Sequence, residues 1–150
     1  MRKLHAMVLL ARDPAAIQEA EAWAAREAAD PMAVDPNLAA LFVAAAAQFG
    51  DAERFDRHLT VYQARKAAGA TPQETNRYLY QFANFRDPAL VARTLDLVDQ
   101  RVLPQESLGV LLRAMFGQRH AQRPAWAYLA GRNIGERRPQ RVLSFVVDQD

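Results

Sequence analysis

Apolar side chains in this chain return every three or four residues rather than at alternate positions. Leu4, Met7, Val8 and Ala11 share one helical face, and so do Leu38, Leu41, Phe42 and Ala45. The pattern runs on through Phe55, Leu59 and Tyr62, then Thr75, Tyr78, Leu79 and Phe82, then Val91, Leu95 and Val98. Leu108, Leu111, Leu112 and Met115 repeat it, and Trp126, Leu129 and Ala130 continue it. Such a period is that of amphipathic helices. Polar punctuation divides the stripes. Asp13-Pro14, Asp35-Pro36, Thr71-Pro72 and Asp87-Pro88 each set a capping oxygen before a proline at the first helical position, where the missing N–H costs nothing. Glu74 supplies the second half of a capping box with Thr71. Gly50, Gly69, Gly117 and Gly131 follow helix-forming runs and read as helix ends. Helices are therefore expected to start near residues 2, 14, 36, 52, 72, 88, 105, 122 and 139, with the longest connection at 29–35.

Alternate starts near 36, 72 and 105 lie roughly 33 to 36 residues apart, a length typical of two-helix repeat units. Short loops make neighbouring helices antiparallel, and repeated hairpins stack into a curved double layer. The expected fold is all-α: antiparallel helix pairs stacked as a curved, HEAT/armadillo-like, right-handed α-α superhelix of about eight or nine helices. No linker or low-complexity tract divides the chain, so residues 1–150 are read as a single helical-repeat domain.

Composition narrows the chemistry. The chain has 150 residues, half of them hydrophobic, with thirty alanines, seventeen arginines and only two lysines. That is enough apolar matter for one substantial core. No cysteine is present, which excludes disulfides, thiolate metal ligands and a thiol nucleophile. Nineteen basic against seventeen acidic residues leave no field to hold a nucleic-acid backbone. No apolar run approaches a membrane span, and the stretch 4–11 is too short for a signal peptide, so a cytoplasmic location is expected.

The search for catalytic groups is mostly negative. There is no His-Glu-x-x-His helix, Gly-rich phosphate loop or nucleophile elbow. His5, His58 and His120 are far apart; His58 edges an apolar stripe and reads as a packed or surface histidine rather than a base, His120 as a solvated turn residue. Asp96 and Asp99 beside Arg93 and Arg101, and Glu19 and Glu21 with Arg26, read as solvated salt-bridged faces. Tyr78, Tyr80 and Phe82, interleaved with Arg77 and Arg86, read as filling between helices. Arginine carries the one binding expectation. Arg113, Arg119 and Arg123, with Gln118, bracket the turn after Gly117, where guanidinium groups could hold a carboxylate bidentately.

The stretch from about residue 10 to 133 resembles the helical C-terminal domain of zinc aminopeptidases of the aminopeptidase N family, the domain type of endoplasmic-reticulum aminopeptidases. The residues that carry it are Gly50-Asp51, Phe55 and Tyr62, Thr71-Pro72-Gln73-Glu74, Arg77-Tyr78-Leu79, Phe85-Arg86-Asp87-Pro88 and Arg93-Thr94-Leu95. Gln105-Glu106, Leu111-Leu112, Arg123-Pro124-Ala125-Trp126-Ala127-Tyr128-Leu129 and Asn133 complete it. The chain departs from the family pattern at Gln122, where a glycine is usual, and at Ile134, where a second tryptophan is usual.

The resemblance implies a role rather than a reaction. It implies a domain that caps a catalytic domain, forms the substrate chamber and gates or selects peptides for removal of their N-terminal residue. The zinc and its ligands would then lie in the catalytic domain of the same parent protein, with no catalytic residue, metal ligand or cofactor in this chain. The partners so implied are that catalytic domain and a peptide substrate, with Arg113, Gln118, Arg119 and Arg123 as chamber-facing candidates. Two alternatives stand beside it: a free-standing helical-repeat adaptor binding a partner peptide or protein, and an all-helical enzyme with a new site.

Overall fold

The computed structural model describes residues 13–136, with side chains through Arg132. Among them are seven α-helices, three short 3₁₀ turns and no strand. The helices are α1 (Pro14–Ala29), α2 (Pro36–Gln48), α3 (Ala52–Ala67), α4 (Pro72–Leu79), α5 (Pro88–Asp99), α6 (Leu108–Phe116) and α7 (Arg119–Glu136). The expected helices near residues 2 and 139 lie outside the described residues.

The cap-proline reading is met at all four sites. The side chains of Asp13, Asp35, Thr71 and Asp87 accept from the backbone N–H of Ala15, Asn37, Glu74 and Ala89. Asp51 does the same for Arg54 without a proline. Gly69 stands just past α3 at φ +70°, a conformation that side chains with a Cβ adopt with strain.

Four sequence expectations are corrected. The helix expected near 105 begins as a 3₁₀ turn, Gln105–Ser107, because Pro104 is extended and no side chain caps it; α6 starts at Leu108. The helix expected near 122 starts at Arg119 and runs through Pro124, whose missing amide forfeits only one bond near the helix start. Gly131 lies inside α7 rather than at its end. Phe82 falls in a 3₁₀ turn, Tyr80–Asn84, since the chain must straighten at Phe85 to reach Asp87-Pro88. The 29–35 connection also contains a 3₁₀ turn, Pro31–Ala33.

Two buried clusters organise the packing. In the smaller, Ala16, Ala20 and Ala24 of α1 lie against Ala39, Phe42, Ala45 and Ala46 of α2, with Trp23 stacked on Phe42 at 5.7 Å. Small side chains on both faces let the two backbones approach closely. The larger cluster joins α3 to α7 around the Tyr80–Asn84 turn. Phe55 meets Phe82 and Phe85 edge-on at 5.3 and 4.9 Å, and Tyr62 meets Phe82 at 5.9 Å. At the far end Tyr128 of α7 donates to Asp99 of α5 at 2.7 Å, and Arg132 donates to the Tyr128 hydroxyl.

Candidate functional site

The α6–α7 turn, the Tyr80–Asn84 turn and the end of α2 enclose an open polar cleft of about 660 Å³. Gln48, Asn84, Arg86, Gln118, Arg119 and His120 line it. Local structure explains the convergence. The extended Phe85, needed to enter α5, carries Arg86 to the cleft, where its guanidinium lies 4.9 Å over the Phe49 ring. Gln118 ties the walls together: its amide donates to the carbonyls of Ala83 and Ala114 and to the Asn84 side chain. The amide of Ala121 bonds Gln118, so α7 begins at the cleft and directs its positive dipole end there.

Arg86, Arg119 and this helix start bring positive charge to the cleft, and among the described residues no carboxylate lines it. His120 is not the solvated turn residue expected from sequence. It sits in the first turn of α7, partly buried, and its buried Nε2 has no hydrogen-bond partner. The arrangement suits an anion, above all a carboxylate that a guanidinium grips through two oxygens. Of the four expected residues, Gln118 and Arg119 meet in the cleft. Arg113 and Arg123 lie outside its lining, exposed on α6 and α7.

A second constellation escaped the sequence reading. Glu27 of α1 is fully buried. Its Oε1 accepts from Arg65 of α3 at 2.7 Å and from Arg77 of α4 at 2.6 Å, and its Oε2 accepts from the Tyr78 hydroxyl. Arg65 also donates to the Glu27 carbonyl at 2.7 Å. Burial alone would raise the Glu27 pKa, but the bonds from Arg65, Tyr78 and Arg77 outweigh it and hold the carboxyl below its ordinary value. Burial and the Glu27 contact push the Tyr78 hydroxyl up. A signal was present: Glu27 extends the Ala16, Ala20, Ala24 face, and Arg65 extends the Phe55, His58, Tyr62 face.

His58 is packed, one of the two positions the sequence left open. It lies against Tyr78, Phe82 and Phe85, and because a carbonyl only accepts, its Nε2 carries the proton donated to Tyr78 O at 2.7 Å. Burial pushes its pKa down to about 4, against the smaller opposing effect of that hydrogen bond. The expected surface ion pairs are redistributed between helices. Arg93 pairs with Asp56 at 2.7 Å and Arg54 with Glu21 at 3.7 Å, while Arg26 covers the Trp23 ring.

Among the described residues no three His, Asp or Glu side chains converge to hold a metal ion. Nor is any described helix long and apolar enough to cross a membrane. No curated protein and no solved structure matches the chain significantly. A family model described as the ERAP1-like C-terminal domain matches residues 2–133, nearly the whole chain and all of the described helices except the last three residues of α7. The chain belongs to the ERAP1-like C-terminal domain family.

Proposed function

We propose that this chain is the non-catalytic C-terminal domain of a zinc aminopeptidase, a single domain whose helix pairs stack as a curved HEAT-like array. In this reading it caps the catalytic domain of the same parent protein, which holds the zinc, and closes a chamber that admits peptides selectively. Closure excludes water and limits substrates by size, a gating contribution rather than a chemical one. The family match supports the domain assignment. The observation that carries the peptide reading is the cleft where Arg119 meets the start of α7, with no carboxylate among its described lining residues.

Arg119 would grip the free carboxylate of a peptide whose other end reaches the zinc. Gln118 holds the cleft walls in place, and Arg113 and Arg123 add positive potential from the adjoining faces. The test compares kcat/KM of the full-length parent on peptides with free and amidated carboxyl termini. Arg119→Ala is expected to erase about a tenfold preference for the free acid, a typical worth for one charge-assisted contact. An unchanged preference in Arg119→Ala and Arg86→Ala would overturn the assignment. Immunoblotting source-cell extract tests the parent itself. A band far above the 16.8 kDa of this chain is expected, and a band at that size would favour the free-standing adaptor.

A further inference from the structure

The charge of this domain is segregated. From Ser107 through Gly135 the sequence holds Arg113, Arg119, Arg123 and Arg132 and not one aspartate or glutamate. Over residues 13–106 acidic side chains outnumber basic ones, fourteen to nine. Arg132 is spent on Asp99 and Tyr128, so the remaining excess is Arg113 of α6 with Arg119 and Arg123 of α7. On α7, Arg119, Arg123, Trp126 and Ala130 recur at intervals of four, three and four residues, share one face, and are all exposed. Trp126 is 63% exposed, yet its ring is fixed by edge-on contact with Phe116 of α6 at 5.1 Å.

An exposed, pre-positioned indole costs little further ordering on binding, and tryptophan and arginine are the side chains that dominate interface energetics. The stripe from Arg119 to Ala130 is about 16 Å long, the reach of three helical turns.

We propose that this stripe docks an acidic protein segment, one that sets carboxylates against Arg119 and Arg123 and an apolar side chain against Trp126. Planar guanidinium groups one turn apart suit carboxylates, and the absence of acid from Ser107 through Gly135 leaves no carboxylate within that run to compete. A lipid surface fits less well, because Trp126 is the only large apolar side chain on the stripe and interfacial helices present several.

The probe is a fluorescently labelled peptide of about 14 residues, enough to cover the stripe, built from glutamate with one leucine per turn. Its lysine counterpart and phosphatidylserine vesicles serve as comparisons. Anisotropy titration of the 150-residue chain is expected to give saturable binding at about micromolar Kd. Raising salt from about 0.05 M to about 0.5 M should weaken binding severalfold. Arg123→Glu and Trp126→Ala, both at exposed positions, should each weaken it by about tenfold. Arg119 is common to the cleft and the stripe, so the readings are separated by Arg86→Ala, which is confined to the cleft and should leave this binding unchanged. In Trp23→Phe protein, Trp126 is the only remaining tryptophan, and the acidic peptide should shield it from acrylamide. Three outcomes would overturn the proposal: no saturable binding up to about 1 mM, equal binding of the lysine peptide, or indifference to both Arg123→Glu and Trp126→Ala. Binding to the vesicles with none to the acidic peptide would do so too.

Discussion

Replacing Glu27 by glutamine tests the polar cluster that joins α1 to α3 and α4. The substitution preserves shape and one accepting oxygen, but removes the only negative charge that, among the described residues, pairs with these two guanidinium groups. Side chains of Arg65 and Arg77 are 8% and 6% exposed, so water cannot replace the lost partner. The Glu27 side chain accepts three hydrogen bonds, all charge-assisted, each worth about 1.5–3 kcal/mol. Stranding a buried charge costs about 3–5 kcal/mol, and that range is the expected loss for Glu27→Gln. Domains of this size are stable by about 5–15 kcal/mol, so about a fifth or more of the total is at stake. Urea unfolding followed by far-ultraviolet circular dichroism should show the midpoint falling by about 2 M at the usual slope for small proteins. Adding Arg77→Leu should recover part of the loss, because one stranded cation is removed with its partner. A loss below about 1 kcal/mol, or no recovery in the double variant, would refute a charge-compensated cluster.

Acid should act through His58. Its folded pKa of about 4 lies below the ordinary 6.5, so the unfolded chain takes up a proton there that the folded chain refuses. The stability this histidine contributes is present above pH 6.5 and falls away toward pH 4, by about 3 kcal/mol in all. Urea midpoints at pH 7 and pH 4.5 should therefore differ less in His58→Gln than in the parent chain, and equal differences would count against the assignment. Two glycines should respond in opposite senses. Gly109 lies in α6 with open space around a would-be Cβ, so Gly109→Ala should raise stability by about 0.5–1 kcal/mol. At Gly50 a Cβ would sit 2.7 Å from the Ala46 carbonyl oxygen, so Gly50→Ala should lower thermal stability measurably. The reverse order of melting temperatures would contradict both readings.

The helices were legible because their signals are local. Asp-Pro and Thr-Pro pairs write a capping oxygen and a preset φ into adjacent residues, and five of the starts fall where those signals and the stripes place them. The misplaced starts share a cause. At Gln105 and Gln122 no capping side chain marks the boundary, and Pro124 resembles a first-turn proline whether it opens a helix or rides inside one. The cleft was half legible. Gln118 and Arg119 belong to a turn that sequence alone flags, but Arg86 arrives from 32 positions earlier along the chain, and only the extended Phe85 explains why. The Glu27 cluster was harder still. Its partners stand 38 and 50 residues away, and isolated charges in an arginine-rich chain look like surface.

The alanine face of α1 has a consequence for how that helix is positioned. Ala16, Ala20 and Ala24 make a smooth seam that gives closeness to α2 without knobs to oppose sliding or rotation. A slip by one residue would shift α1 along its axis by about 1.5 Å and turn it by about 100°, carrying Glu27 away from both arginines. Hydrogen bonds from Arg65, Arg77 and Tyr78 to the Glu27 carbonyl and carboxylate come from two other helices and hold only in one alignment. Together with Trp23 on Phe42, they act as a registration pin: the seam sets the distance between α1 and α2, and the pin sets which turn of one helix faces which turn of the other.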